Sequence, residues 1–231
     1  MLKDYADRPG HKGEPIFDAA SFAEAAVEAD RRGLQITVHA IGDAAVRIAL
    51  DGYQAARATN GPRDSRHRIE HIEMIDPADV PRFAELGVIA SVQPLHAPVG
   101  ETPTTRSIGK DRASNAYAWR ALAEAGATVA FSSDWPIVPV DPLLGIETAL
   151  IRQSHLPGLP DQRLPLQQVL EAFTCNGAYA GHMEHDTGRL KPGMLADLVL
   201  LSGDIEATPP EEIASLGIAM TVCDGRITHE G

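Results

Sequence analysis

Short β-branched runs alternate with helical segments along most of this chain, and that alternation limits the fold more than any other feature. Gln35-Ile-Thr-Val-His39 is one such run, and the apolar spacing from Ala44 to Arg57 predicts a helix after it, with Asp43 as its N-cap. Arg66-His-Arg-Ile-Glu-His71 opens a second unit. Asp76-Pro77 marks the start of a helix running to about Leu86 and closed by Gly87. Val88 to Val92 and Thr128 to Phe131 read as further strands, with a helix from Asn115 to Ala125 between them. Pro142 to Gln153 and Pro165 to Tyr179 complete the helical part. Strands interleaved with helices of this length imply a parallel sheet or a (β/α) barrel.

The character changes near Gly181. Gly188 to Gly193, Ala196 to Leu201 and Ala219 to Ile227 read as short strands around turns, and Asp224-Gly225 is a strong hairpin signal. A boundary therefore falls so that 1–186 form a partial barrel and 187–231 a small β unit. The 231 residues suit one large domain with such an appendage. The polar excursion from Pro94 to Ser114 is too long for an ordinary turn and is expected to lie over a site.

Composition removes several classes of function. Twenty Lys+Arg against 32 Asp+Glu leave a net charge of -12, so no basic footprint exists for nucleic acid or an anionic membrane. No apolar run is long enough to span a bilayer and no basic-then-apolar leader follows Met1, so a soluble, cytoplasmic protein is expected. Cys175 and Cys223 are too few for a disulfide framework or a Cys-based zinc site. They read as small core residues in a reducing compartment.

His39, His71 and Asp134 stand at the carboxyl ends of expected strands, where barrels and open α/β sheets build their sites. Imidazoles with a carboxylate suit zinc and similar divalent metals. A metal lowers the pKa of a bound water to about 7, and a carboxylate beside it takes the proton. Asp134 suits both tasks. Each histidine alone reads more readily as a hydrogen-bonded structural or solvent-facing residue; the set on three strand ends of one barrel brings the shared-metal reading level with it. Asp43 either orients His39 or simply caps its helix. Glu70 alternates with His71 and is expected to face the helices and pair with an arginine. His67 lies deeper on the side of His71 and reads as structural. Gln93 and His96 are placed to line a pocket, and Arg106 and Arg112 to contact a substrate from the excursion. His182 and His185 read as solvated surface, and His11, His155 and His229 carry no assigned role. No Gly-x-Ser-x-Gly elbow, Walker loop or dinucleotide fingerprint is present.

Taken together, Thr37-Val-His-Ala-Ile-Gly-Asp43, Arg66 to His71, Ala90-Ser-Val-Gln-Pro94, Ser132-Ser-Asp-Trp-Pro136 and Leu190 to Leu200 resemble the amidohydrolase superfamily. Within it they are most similar to the branch of N-substituted formamide deformylases. The resemblance implies a distorted (β/α)₈ barrel carrying a small β-sandwich. It matches His39 and His71 to the metal ligands after the fifth and sixth strands, and Asp134 to the aspartate after the eighth. The superfamily also uses a His-x-His pair after its first strand, and this sequence contains none. A whole barrel needs about 250 residues. The resemblance therefore implies the carboxyl-terminal half, strands five to eight, followed by a β-sandwich segment.

The expected function is metal-dependent hydrolysis of non-peptide C–N bonds in a small amide-type substrate, with zinc as the expected metal. Two readings from other classes stand beside it: a catalytically inactive remnant or half-barrel binding module, and a metal-binding protein without turnover. Open sheet edges predict a homo-oligomer or pairing with a missing amino-terminal half-barrel, with low activity in the chain alone.

Overall fold

The computed structural model describes residues 1–97, 102–152 and 158–231. His155 and Gln153 lie outside them, as do positions 98–101 of the excursion. Helix α1 (Ala19–Arg31) begins where the Asp18 carboxylate accepts the Ser21 N–H at 2.8 Å, and it buries Phe22, Ala26 and Asp30. It precedes the first strand, outside the strand–helix alternation, and so adds to the expected elements. Strands β1 (Thr37–Ala40) and β2 (Arg68–His71) pair in parallel, with His39 beside Glu70 and Ala40 beside His71. Between them runs α2 (Asp43–Asn60), capped by Gly42, so Asp43 is its first residue rather than its cap.

Asp76 does cap the next turn, accepting the Ala78 N–H at 3.0 Å ahead of a 3₁₀ turn at Pro77–Asp79. Helix α3 (Val80–Leu86) follows and stops at Gly87, whose φ of 68° is the left-handed conformation that glycine tolerates. Strand β3 (Ile89–Val92) is parallel to β2. The excursion folds into a 3₁₀ turn at Pro94–His96, then α4 (Pro103–Ile108) and α5 (Lys110–Ala113).

The helix expected over Asn115 to Ala125 is shorter, α6 (Trp119–Glu124). Its missing turn pairs with the chain after β2 instead. Ala116 bridges Met74, the Ile75 N–H donates to Asn115 O, and the Tyr117 N–H donates to Glu73 O. Strand β4 (Val129–Phe131) completes a sheet of order β1-β2-β3-β4. Helices α7 (Pro142–Ile151), α8 (Leu166–Phe173) and α9 (Cys175–Ala180) come next; the last two replace one expected helix, broken at Thr174 by φ -123° and ψ -93°. Strands β5 (Leu198–Leu201), β6 (Ile218–Cys223) and β7 (Arg226–Glu230) form an antiparallel sheet. Asp224 (φ 49°) and Gly225 (φ 73°) turn the hairpin as expected. Gly188 to Gly193 is turn rather than strand. Gly188 sits at φ 87°, where a Cβ would meet Ala178 Cβ at 2.6 Å.

The chain packs as two compact units: Met1–Val92 with Ala97–Val129 and Gln153–Gln162, and Gln93–His96 with Ala130–Arg152 and Arg163–Gly231. In the first, Val46, Leu50 and Tyr53 of α2, Ile69, Ile89, Phe83, Trp119 and Leu122 are all buried. Burying each Leu, Ile or Phe is worth about 1.5–3 kcal/mol. Helices α1 and α2 approach closely because residue 52 is glycine; a Cβ there would meet Phe22 Cδ1 at 2.5 Å. In the second, Glu147 of α7 accepts the Ala214 N–H at 2.8 Å, tying the helix to the 3₁₀ turn at Pro210–Ser215. Cys175 is buried there, but Cys223 is exposed at the end of β6, contrary to the expected core position; both are free thiols. Among the described residues no helix is long and apolar enough to cross a membrane.

Candidate metal centre

In the first unit His39 and His71 come together at the carboxyl ends of β1 and β2. His39 Nδ1 lies 2.6 Å from His71 Nε2, and the ring centroids are 4.8 Å apart with 30° between planes. The register alone would set His39 beside Glu70. His71 reaches its neighbour because its backbone turns to φ 80°, followed by Ile72 at φ 50°. Left-handed conformations are costly for residues with a Cβ, and they concentrate where function needs an unusual direction. His71 is buried, whereas His39 is exposed.

The same turn revises the expectation for Glu70. Its carboxylate accepts the Thr37 hydroxyl at 2.8 Å and lies 3.2 Å from Arg68 Nε. The arginine partner is present, but Glu70 shares the face of Thr37 and His39, while the alternating Ile69 is fully buried. Strand alternation fails at His71 because this last paired residue of β2 has turned to a positive φ. Asp43 serves its helix and the chain start: its Oδ1 accepts the Leu2 N–H at 2.8 Å and the Ala44 N–H at 2.9 Å.

The amino ends of these strands are held by a buried polar cluster. Asp30 accepts from Arg63 Nε at 2.6 Å and Asn60 Nδ2 at 2.9 Å, and its Oδ1 lies 3.2 Å from His67 Nε2. The Ile36 N–H donates to His67 Nδ1 at 3.1 Å, so the ring is neutral with its proton on Nε2, directed at Asp30. Burial lowers the His67 pKa against the attraction of Asp30. Burial pushes the Asp30 carboxyl the other way, but hydrogen bonds from Asn60 and Arg63 outweigh it and leave its pKa low. His67 is structural, as its position predicts.

In the second unit Ser132, Ser133 and Asp134 follow β4. Asp134 adopts φ 59°, and its carbonyl accepts the Ile137 N–H at 2.9 Å. His96 Nε2 stands 3.8 Å from Asp134 Oδ2, too far for a hydrogen bond and close enough for two ligands of one ion. The sequence places His96 as a pocket-lining residue after the third strand; its proximity to Asp134 has no signal beyond the strand-end position of both. Buried Gln93 donates to Ser132 Oγ at 3.0 Å and so braces the segment carrying Asp134.

The two arginines of the excursion part ways. Arg112 gives Nε to Ile108 O at 2.7 Å and its terminal nitrogens to Lys3 O at 3.2 Å and Asp4 O at 2.7 Å. Arg106 is exposed on α4. His182 and His185 are exposed as well.

Converging imidazoles in one unit and an imidazole–carboxylate pair in the other are nitrogen and oxygen donors of the kind that zinc and other first-row divalent metals take. Two non-glycine residues of this set, His71 and Asp134, hold positive φ. The two imidazoles stand at the carboxyl ends of parallel strands, where (β/α) barrels build their sites. Comparison with known proteins agrees. Residues 1–229 match the amidohydrolase family. The amidohydrolase YtcJ of Bacillus subtilis (strain 168) is 33% identical over 237 residues, covering 100% of this chain and 44% of that protein. N-substituted formamide deformylase of Arthrobacter pascens is 26% identical over 223 residues, covering 95% of this chain and 41% of that protein. A solved structure of an uncharacterized metal-dependent hydrolase from Pyrococcus furiosus is 31% identical with a TM-score of 0.70, covering 83% of this chain and 38% of that one. The chain belongs to the amidohydrolase family, and it spans less than half the length of these relatives.

Proposed function

We propose that this chain carries strands five to eight of a (β/α)₈ barrel hydrolase, with residues 187–231 contributing to a small β-sandwich, and that it acts in the cytoplasm on non-peptide C–N bonds of amide type. The observation that carries this reading is the His39–His71 pair, 2.6 Å apart at the ends of parallel strands. The likeness to a protein named N-substituted formamide deformylase supports the C–N chemistry. His39, His71 and Asp134 would hold a zinc ion, with His96 beside Asp134. Bound there, zinc would supply Lewis acidity and lower the pKa of water to about 7. The Asp134 carboxylate takes the proton of the attacking water as its oxygen bonds to the carbonyl carbon, then delivers that proton to the leaving nitrogen as the C–N bond breaks. Gln93, His96 and Arg106 face the small-molecule substrate, while Arg112 anchors the covering segment. Strands β1 and β4 are the edges of their sheet, and edges recruit further strands. Their partner is an amino-terminal half-barrel or a second copy of this chain.

Zinc titration of the purified chain in competition with a chelator tests the reading. His39→Ala, His71→Ala and Asp134→Ala should each weaken zinc by roughly tenfold or more. Equal affinity in the wild type and the triple variant would overturn it.

A further inference from the structure

The second unit contains a cleft of about 240 Å³ lined by Leu95, Ser132, Ser133, Val140, Pro142 and Phe173, with Asp141 and Gly145 completing it. Its polar side chains are already engaged within the protein. Ser132 Oγ receives Gln93 Nε2 at 3.0 Å, Ser133 Oγ receives the Trp135 N–H at 3.2 Å, and Asp141 Oδ1 caps α7 through the Leu143 N–H at 2.9 Å. Those hydroxyls and the Asp141 carboxylate keep hydrogen-bonding capacity of their own, but most of the lining is carbon, from Leu95, Val140, Pro142 and Phe173. Phe173 forms one wall and is itself held edge-on by Phe131, with ring centroids 5.4 Å apart. Gly145 keeps that wall in place, because a Cβ there would meet Phe173 Cζ at 2.8 Å. Glycine inside a helix costs about 1 kcal/mol against alanine, so α7 gives up stability where the ring needs the space.

The cleft adjoins the segment Ser132-Ser133-Asp134. Beyond Asp134 the chain continues through Trp135, Ile137 and Val140, which are 67%, 71% and 67% exposed. Of these, Val140 lines the cleft itself, and Trp135 and Ile137 stand exposed on the segment that leads from Asp134 to it. An engineered cavity of about 150 Å³ takes benzene, so this cleft has room for a group of at least that size.

We propose that this cleft is the specificity subsite of the reaction and takes a compact apolar substituent of the substrate, carried next to the scissile C–N bond. The inference rests on Asp134 being the reacting end. It divides the work: the donors at the strand ends recognise the polar amide, and the cleft selects among amides by the carbon group attached.

A series of N-alkyl acetamides of increasing chain length, titrated onto the chain and followed by NMR at Val140 and Phe173, tests this. Affinity should rise about fourfold for each added methylene until the cleft is full. Gly145→Ala, which drives the Phe173 ring inward, should flatten that gradient, and Phe173→Leu, which deepens the cleft, should extend it to longer chains. A flat series in the wild type, or one gradient shared by wild type and both variants, would overturn the proposal. The gradient is read without turnover, so its loss is distinct from failure of the hydrolase reading, which zinc titration decides separately.

Discussion

His71 lies against His39 rather than against the residue that strand register pairs with it: Nε2 of the one is 2.6 Å from Nδ1 of the other, while His39 is registered to Glu70. A backbone φ of 80° at His71 makes this reach. Conformational strain and donor chemistry thus reside in one residue, and substitution separates them. His71→Gly should be more stable to urea than His71→Ala by about 1 kcal/mol, since only glycine occupies that conformation freely. Both should lose zinc affinity alike. The reverse order of stability would show that the backbone there is unstrained.

Acid should weaken the fold through His67. Its pKa is lowered by burial, so the unfolded chain binds the proton more readily than the folded one. Stability is then fully present above the ordinary histidine value of about 6.5 and declines as pH falls below it. Urea denaturation of wild type and His67→Gln should show a smaller loss between about pH 7.5 and 5.5 in the variant. An identical pH slope would remove His67 from the account.

Gly52→Ala should destabilise the first unit even though alanine is the better helix former. The added methyl would stand 2.5 Å from Phe22 Cδ1, and overpacking of this kind costs about 1–3 kcal/mol. Phe22→Leu should relieve part of that cost, so the double variant should be more stable than the sum of the singles. Strict additivity in thermal unfolding would contradict the contact.

Arg112 holds Lys3 and Asp4 by their carbonyls, and among the described residues Arg106 shows no such tether. Arg112→Ala should accelerate hydrogen exchange across Met1 to Tyr5 roughly tenfold, in keeping with the worth of charge-assisted hydrogen bonds. Arg106→Ala should leave exchange there unchanged. Similar protection in both variants would mean the chain start is held by other contacts.

Periodicity and punctuation made the parallel strands, the Asp76-Pro77 start, the Gly87 stop and the Asp224-Gly225 hairpin legible, because each rests on chemistry within a few residues. What stayed hidden depends on distant partners. Ala116 leaves its helix to bridge Met74, and the loop around Gly188 closes on Ala178. In the candidate site, strand-end positions pointed to His39, His71 and Asp134. The turn that carries His71 to His39, and the 3.8 Å between His96 and Asp134, arise from backbone conformations that no local pattern announces.

The Asp30 cluster joins Ile36 and His67 at the amino ends of β1 and β2, whereas His39 and His71 close the opposite ends of the same strands. Cohesion and chemistry are thus placed at opposite poles of two short strands. The knot keeps the two strands in step from one end while the imidazoles are presented at the other. Replacing either imidazole therefore leaves every contact of the Asp30 knot in place.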